Sequence, residues 1–122
     1  RLVLESLYRN SDIFFVPSRS DCFGIVYSEA AAFGLPSVCT ATGGVPEVVI
    51  DSVTGLCLPP SSGPEDYASR IQWLISDKSR LELMKTAARE NFRRRLNWSE
   101  WGKIVSDEII TVGEKHGQTF GI

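Results

Sequence analysis

Three short apolar runs constrain this chain most: IFFV at 13–16, SVCT at 37–40 and GLCL at 55–58. Runs of this length suit strands better than buried helices. For IFFV, apolarity without polar alternation predicts a strand covered on both faces. Helical signals lie between them. Residues 25–33 read as a helix that stops at Gly34, a residue suited to the left-handed helix end, with Pro36 preventing continuation. ATGGVPEVV supplies a glycine turn and a short helix with proline in its first turn. Strand and helix in alternation predict βαβ units and a parallel sheet, joined by right-handed crossovers.

The flanking segments add helices. Residues 2–9 place Leu4, Leu7 and Tyr8 on one face. After Pro60, one helix carries Tyr67, Ile71, Leu74 and Ile75, and a second carries Leu81, Met84, Ala88 and Phe92. A third is expected to be capped by Ser99 and striped by Trp101, Val105, Ile109 and Val112, with 117–122 as a tail. The expected fold is α/β and partial Rossmann-like: about three parallel strands flanked by helices, with a helical C-terminal tail, in one domain over residues 1–122. A chain of 122 residues buries enough surface for one core. So short a sheet leaves an edge bare, and a homodimer through that edge is expected. The first residue is Arg1 rather than methionine, and the helical pattern is already under way there. We therefore expect a piece of a longer protein.

Charge and cysteines narrow the classes. A net charge of −2 and a pI of 5.4 argue against nucleic-acid partners and broad anionic-membrane binding. No apolar run is long enough to span a membrane, and a cytoplasmic location is expected. The three cysteines are odd in number and widely spaced, so reduced thiols are expected. Cys39 and Cys57 read as small buried hydrophobes. Neither Cys22 nor the single histidine, His116, has metal-ligand spacing, and no metal site is expected. Arg93, Arg94 and Arg95 read as a solvated helix face, whose attraction to a membrane surface is diluted by Glu82 and Glu90. Trp73, Trp98 and Trp101 read as packing residues.

The candidate site lies in SDCFGIVYSEAAAFGLP at 20–36. Residues 17–24 form the loop at a strand's carboxyl end, where open parallel sheets bind ligands. The amides of Gly24, Ile25 and Val26 open the following helix and offer an anion site suited to phosphate. Gly24 lets a ligand approach the backbone. Seven residues separate Asp21 from Glu29. Ionised carboxylates accept hydrogen bonds only, and sugar hydroxyls offer matching donors. Two acids flanking a phosphate site therefore imply a sugar–diphosphate–ribose ligand, a nucleotide sugar. The plainer alternatives are a helix cap for Asp21, an exposed helix acid for Glu29, and a tight turn for Gly43-Gly44.

PSRSDCFGIVYSEAAAFGLPSVCTATGGVPEVV, followed by TGLCLPP, closely resembles the C-terminal nucleotide-sugar domain of retaining GT-B glycosyltransferases (group 1, family 4-like). The resemblance runs from residue 1 to about 98 and includes LYRNSDIFFVPS and the NWSEW region. It implies that Glu29 binds the donor ribose and that Asp21, the candidate catalytic residue, contacts the transferred sugar. The backbone around Phe23, Gly24, Ile25 and Val26 would hold the sugar and distal phosphate. A UDP- or GDP-sugar would be the substrate of hexosyl transfer with retention, without cofactor or required metal. Asp21 departs from the usual glutamate by one methylene. The family's basic diphosphate ligands and its N-terminal acceptor domain would precede Arg1, so this chain alone is expected to be inactive. Relatives that glycosylate lipids raise a peripheral membrane location. The competing class is a non-catalytic nucleotide-sugar-binding or assembly module. A receiver-like regulator would need acids clustered at the ends of early strands, which the sequence lacks.

Overall fold

The computed structural model describes residues 2–18 and 25–115. Its elements are α1 (Leu2–Arg9), β1 (Phe14–Val16), α2 (Ile25–Ala32), β2 (Ser37–Thr40), α3 (Val45–Val48) and β3 (Gly55–Leu58). Then follow α4 (Pro64–Ile75), α5 (Lys78–Asn91), a π-helical turn over Phe92–Leu96, and α6 (Trp98–Lys115). The three strands are parallel in the order β1-β2-β3, which bears out the α/β expectation. Gly34 adopts the left-handed conformation that ends α2, at φ 71°. Pro46 lies in the first turn of α3. Among the described residues, no helix is long and apolar enough to cross a membrane.

Successive side chains on a strand point to opposite faces, so two cores form. Val38, Leu56 and Leu58 face α4 and α5, where they meet Tyr67, Leu74 and Met84. Cys39 faces the other side with Tyr27, Val45 and Val49, and Cys57 packs at its margin. A third cluster joins Tyr8 of α1 to Ala30 and Leu35. Every residue of β2 is buried. The buried hydroxyl of Thr40 is hydrogen-bonded to that of Tyr67, which offsets the desolvation of both. Lys85 Nζ meets Asp12 Oδ1 at 2.6 Å and ties α5 to the segment entering β1.

Several details differ from the sequence expectations. Strand β1 is not covered on both faces: Phe14 and Val16 are half-buried, but Phe15 is 48% exposed. It touches Tyr67 at 5.6 Å between ring centroids, while α4 packs on α5 and, among the strands, chiefly on β3. Helix α6 begins earlier than Ser99. Asn97 caps it, accepting the Glu100 N–H at 2.9 Å. The expected apolar stripe on α6 is largely exposed at Trp101, Ile109 and Val112, because the helix packs mainly on the π-helical turn. Trp98 (76% exposed) and Trp101 form an edge-to-face pair with centroids 5.7 Å apart, rather than filling a core. Trp73 is partly exposed and carries two guanidinium groups, Arg70 at 4.7 Å and Arg80 at 4.0 Å.

Two glycine substitutions test this packing with opposite signs. A Cβ on Gly55 would lie 2.3 Å from the Ser37 carbonyl oxygen and 2.7 Å from Val49 Cγ1, where backbone cannot yield. Gly55→Ala is expected to destabilise by about 3 kcal/mol, the upper end of ordinary overpacking. A Cβ on Gly102, inside α6, meets nothing within 4 Å. Gly102→Ala should stabilise by up to about 1 kcal/mol through helix propensity. Urea-unfolding midpoints of the two variants read both effects.

Candidate functional site

The site grows from the carboxyl end of β1. Of the residues expected there, Asp21, Phe23 and Gly24 lie outside the described residues, as do Arg19 and Cys22. Ile25, Val26 and Glu29 are described. Ile25 and Val26 lie in the first turn of α2 and are both exposed. Glu29 follows Ile25 by four residues and so shares its face of the helix. The opposite face, with Tyr27, Ala30 and Ala31, is buried against the sheet and α1.

Glu29 is exposed but not isolated. Its Oε2 accepts a hydrogen bond from the Tyr8 hydroxyl at 3.4 Å. Tyr8 is itself buried, stacked on Phe33 at 5.2 Å and tilted against Phe14 at 6.0 Å. Burial pushes the Tyr8 phenol above its ordinary pKa, and the Glu29 charge and hydrogen bond push in the same direction. Glu29 thus stands on the wall of an open groove of about 600 Å³, lined also by Tyr8, Ile25, Phe33, Trp98 and Trp101. The groove is mainly apolar, with the carboxylate at one side and Arg95 at another.

The second loop at this end of the sheet is also fixed. Gly43 takes the left-handed conformation, φ 55°, and Gly44 precedes the first turn of α3. Arg95 Nη2 donates to the Glu47 carbonyl at 2.9 Å, and Asn91 Nδ2 donates to the Val48 carbonyl at 3.1 Å. Arg95 also donates to Asn91 Oδ1 at 2.8 Å. Asn91 ends α5 and Arg95 lies in the π-helical turn that follows. Asn97 Nδ2 satisfies the Phe92 and Arg93 carbonyls at 3.1 and 2.8 Å near the end of that turn. Arg95 is exposed, as expected of a solvated face, but its guanidinium anchors α3. Sequence reasoning did not find the roles of Tyr8, Arg95, Trp98 and Trp101. Tyr8 and Glu29 are 21 positions apart and Arg95 and Glu47 are 48 apart, so no local pattern joins them.

The family model described as "Glycosyl transferases group 1" matches residues 3–91. The chain belongs to this glycosyltransferase family. A relative from Kribbella flavida, a D-inositol 3-phosphate glycosyltransferase, is 41% identical over 72% of this chain and 20% of its own length. One of the same name from Corynebacterium kroppenstedtii is 35% identical over 85% of this chain and 23% of its own. The chain therefore spans about a fifth of the curated relatives it matches. Among solved structures, sucrose-phosphate synthase from Thermosynechococcus elongatus superposes with a TM-score of 0.75 at 28% identity, over 89% of this chain and 28% of that one. The Anabaena protein HepE, solved in complex with UDP-glucose, gives 0.78 at 22% identity, over 91% and 30%. The fold is that of the GT-B C-terminal domain.

The raised pKa of Tyr8 makes a prediction with a definite sign. The fold favours the neutral phenol, so at alkaline pH the folded chain holds a proton that the unfolded chain has lost. This stabilisation is complete below the unfolded-state pKa of about 10 and disappears as pH rises through the higher folded-state value. Above about pH 10 the unfolding midpoint of the wild-type chain should fall more steeply than that of Tyr8→Phe. Equal slopes would mean that the phenol feels neither its burial nor Glu29.

Proposed function

We propose that this chain is the donor-binding part of a retaining glycosyltransferase that takes a UDP- or GDP-sugar. The observation that carries the reading is the position of Glu29. It lies one turn into the helix that opens at the carboxyl end of β1, with its carboxylate held by Tyr8 on the wall of a groove. Membership of the glycosyltransferase family supports the reaction class.

In this reading the carboxylate of Glu29 accepts hydrogen bonds from the ribose hydroxyls. The amides at Gly24, Ile25 and Val26 face the distal phosphate, where the positive end of the α2 dipole favours the charge of the departing nucleoside diphosphate. Stabilising that charge as the glycosidic bond breaks is the chain's main catalytic contribution. No metal is required for it in this scheme. Asp21 contacts the transferred sugar, and the backbone of Phe23 helps to hold it. The acceptor belongs to an N-terminal domain that completes the cleft. A chain spanning about a fifth of its relatives therefore binds donor without turnover.

Calorimetry with UDP-glucose and a GDP-hexose tests the reading. Glu29→Gln keeps the shape of the side chain and removes its charge. A hydrogen bond to a charged group contributes about 1.5–3 kcal/mol, so this variant should bind donor roughly 10- to 100-fold more weakly than wild type. Failure of both donors to bind, or equal affinity of wild type and variant, would sink the proposal.

One observation favours a second reading, an assembly module. The outer edge of β1 pairs with no strand among the described residues, and Phe15 lies exposed beside it. Pairing of two copies along β1 would cover both. Light scattering at high concentration should then report a dimer, and a strict monomer rejects this reading.

A further inference from the structure

Cys39 and Cys57 are aligned partners on adjacent parallel strands, β2 and β3. Their Sγ atoms lie 3.7 Å apart, in direct contact. Donor binding uses neither thiol. Neighbouring strands lie about 4.8 Å apart, inside the roughly 4.4–6.8 Å between Cα atoms that a disulfide accepts. Side-chain rotation can therefore bring the two sulfurs together without unpairing the sheet.

The two thiols differ in their surroundings. Cys39 is fully buried beneath Tyr27 and Val45. Cys57 is partly exposed at the margin of that cluster, and its thiol donates to the Val49 carbonyl at 3.4 Å. The Cys57 N–H donates to Asp51 Oδ1 at 2.9 Å, which places a carboxylate nearby. The hydrogen bond with Cys39 draws the Cys57 pKa below its ordinary value, outweighing burial and the Asp51 charge, both of which push it up. Cys57 is thus the more accessible of the pair.

We propose that Cys39 and Cys57 form a reversible disulfide driven by a peroxide, with Cys57 reacting first. The Cys57 thiolate attacks one peroxide oxygen, and the O–O bond breaks. For hydrogen peroxide this gives a sulfenic acid on Cys57 and hydroxide, which takes a proton to become water. The Cys39 sulfur then attacks the Cys57 sulfur. The S–O bond breaks as the S–S bond forms, and the departing hydroxide takes the Cys39 proton as a second water. The two sulfurs together give up two electrons, and the peroxide accepts both. The cross-link lies one residue before Thr40, which is bonded to Tyr67 and precedes the loop to α3. It therefore pins β2 to β3 at the base of that loop.

The test starts from Cys22→Ser, which removes the third thiol of the protein. After hydrogen peroxide, blocking of free thiols and proteolysis, mass spectrometry should find a peptide pair joining Cys39 to Cys57. The intact chain should lose about 2 Da, the two hydrogens given up by the thiols. Dithiothreitol should make both cysteines alkylatable again. Cys39→Ala in the same background should trap Cys57 as the sulfenic acid, read as a dimedone adduct. Cys57→Ser, at the more exposed position, keeps the test open should the Cys39 variant not fold; it should give no cross-link and no adduct on Cys39. The proposal is overturned if both thiols stay alkylatable after peroxide. It fails equally if Cys57 runs to the sulfinic acid without a cross-link, or if the cross-link joins two copies of the chain.

Discussion

Strand β2 is buried along its whole length, with neither face open to water. A buried backbone amide or carbonyl without a partner is costly, so β2 requires a hydrogen-bonded strand on each side and has β1 and β3 there. Its alternating side chains then divide the interior. Val38 points toward α4 and α5, and Cys39 points toward α2 and α3. A shift of one residue would exchange these faces and place Thr40 on the wrong side of the sheet from Tyr67. Gly55 enforces the same register, because only a residue without Cβ fits so close to the Ser37 carbonyl.

The site depends on this arrangement through contacts distant in sequence. The buried face of α2 fixes the direction of its exposed face, so Ile25 and Glu29 look into the groove. Tyr8, stacked on Phe33, presents its hydroxyl to Glu29 from a second helix. Arg95 in the π-helical turn and Asn91 just before it hold α3 by its carbonyls. The loop after β2 is therefore fastened at both ends: by the sheet before it and by α3 after it.

The strands, the end of α2 and the start of α3 were legible because local chemistry specifies them. Gly34 and Pro46 each satisfy a backbone requirement that few other residues meet. Burial at the periphery was less legible. Phe15 looks as apolar as Val38, yet Phe15 is half-exposed and Val38 fully buried. Periodicity reports which residues share a face, not what covers that face. The same limit explains α6, where a stripe that reads as core packs mainly on the π-helical turn. Asn97 was missed as its cap because Ser99 also suits the role, and only geometry chooses between them. At the site, Glu29 was legible by spacing and family pattern, whereas its partner Tyr8 was visible only as part of an apolar helix face.

The sequence by itself determined the parallel α/β order, the helix stops and the family, since each rests on residue type at short range or on a motif preserved in order. Tertiary structure decided which side chains meet. Glu29 with Tyr8, Arg95 with Glu47 and Cys39 with Cys57 are separated along the chain by 21, 48 and 18 positions. Such pairings arise from how the helices cross the sheet and from the strand register. These are properties of the packed core as a whole, and no short stretch of sequence contains them.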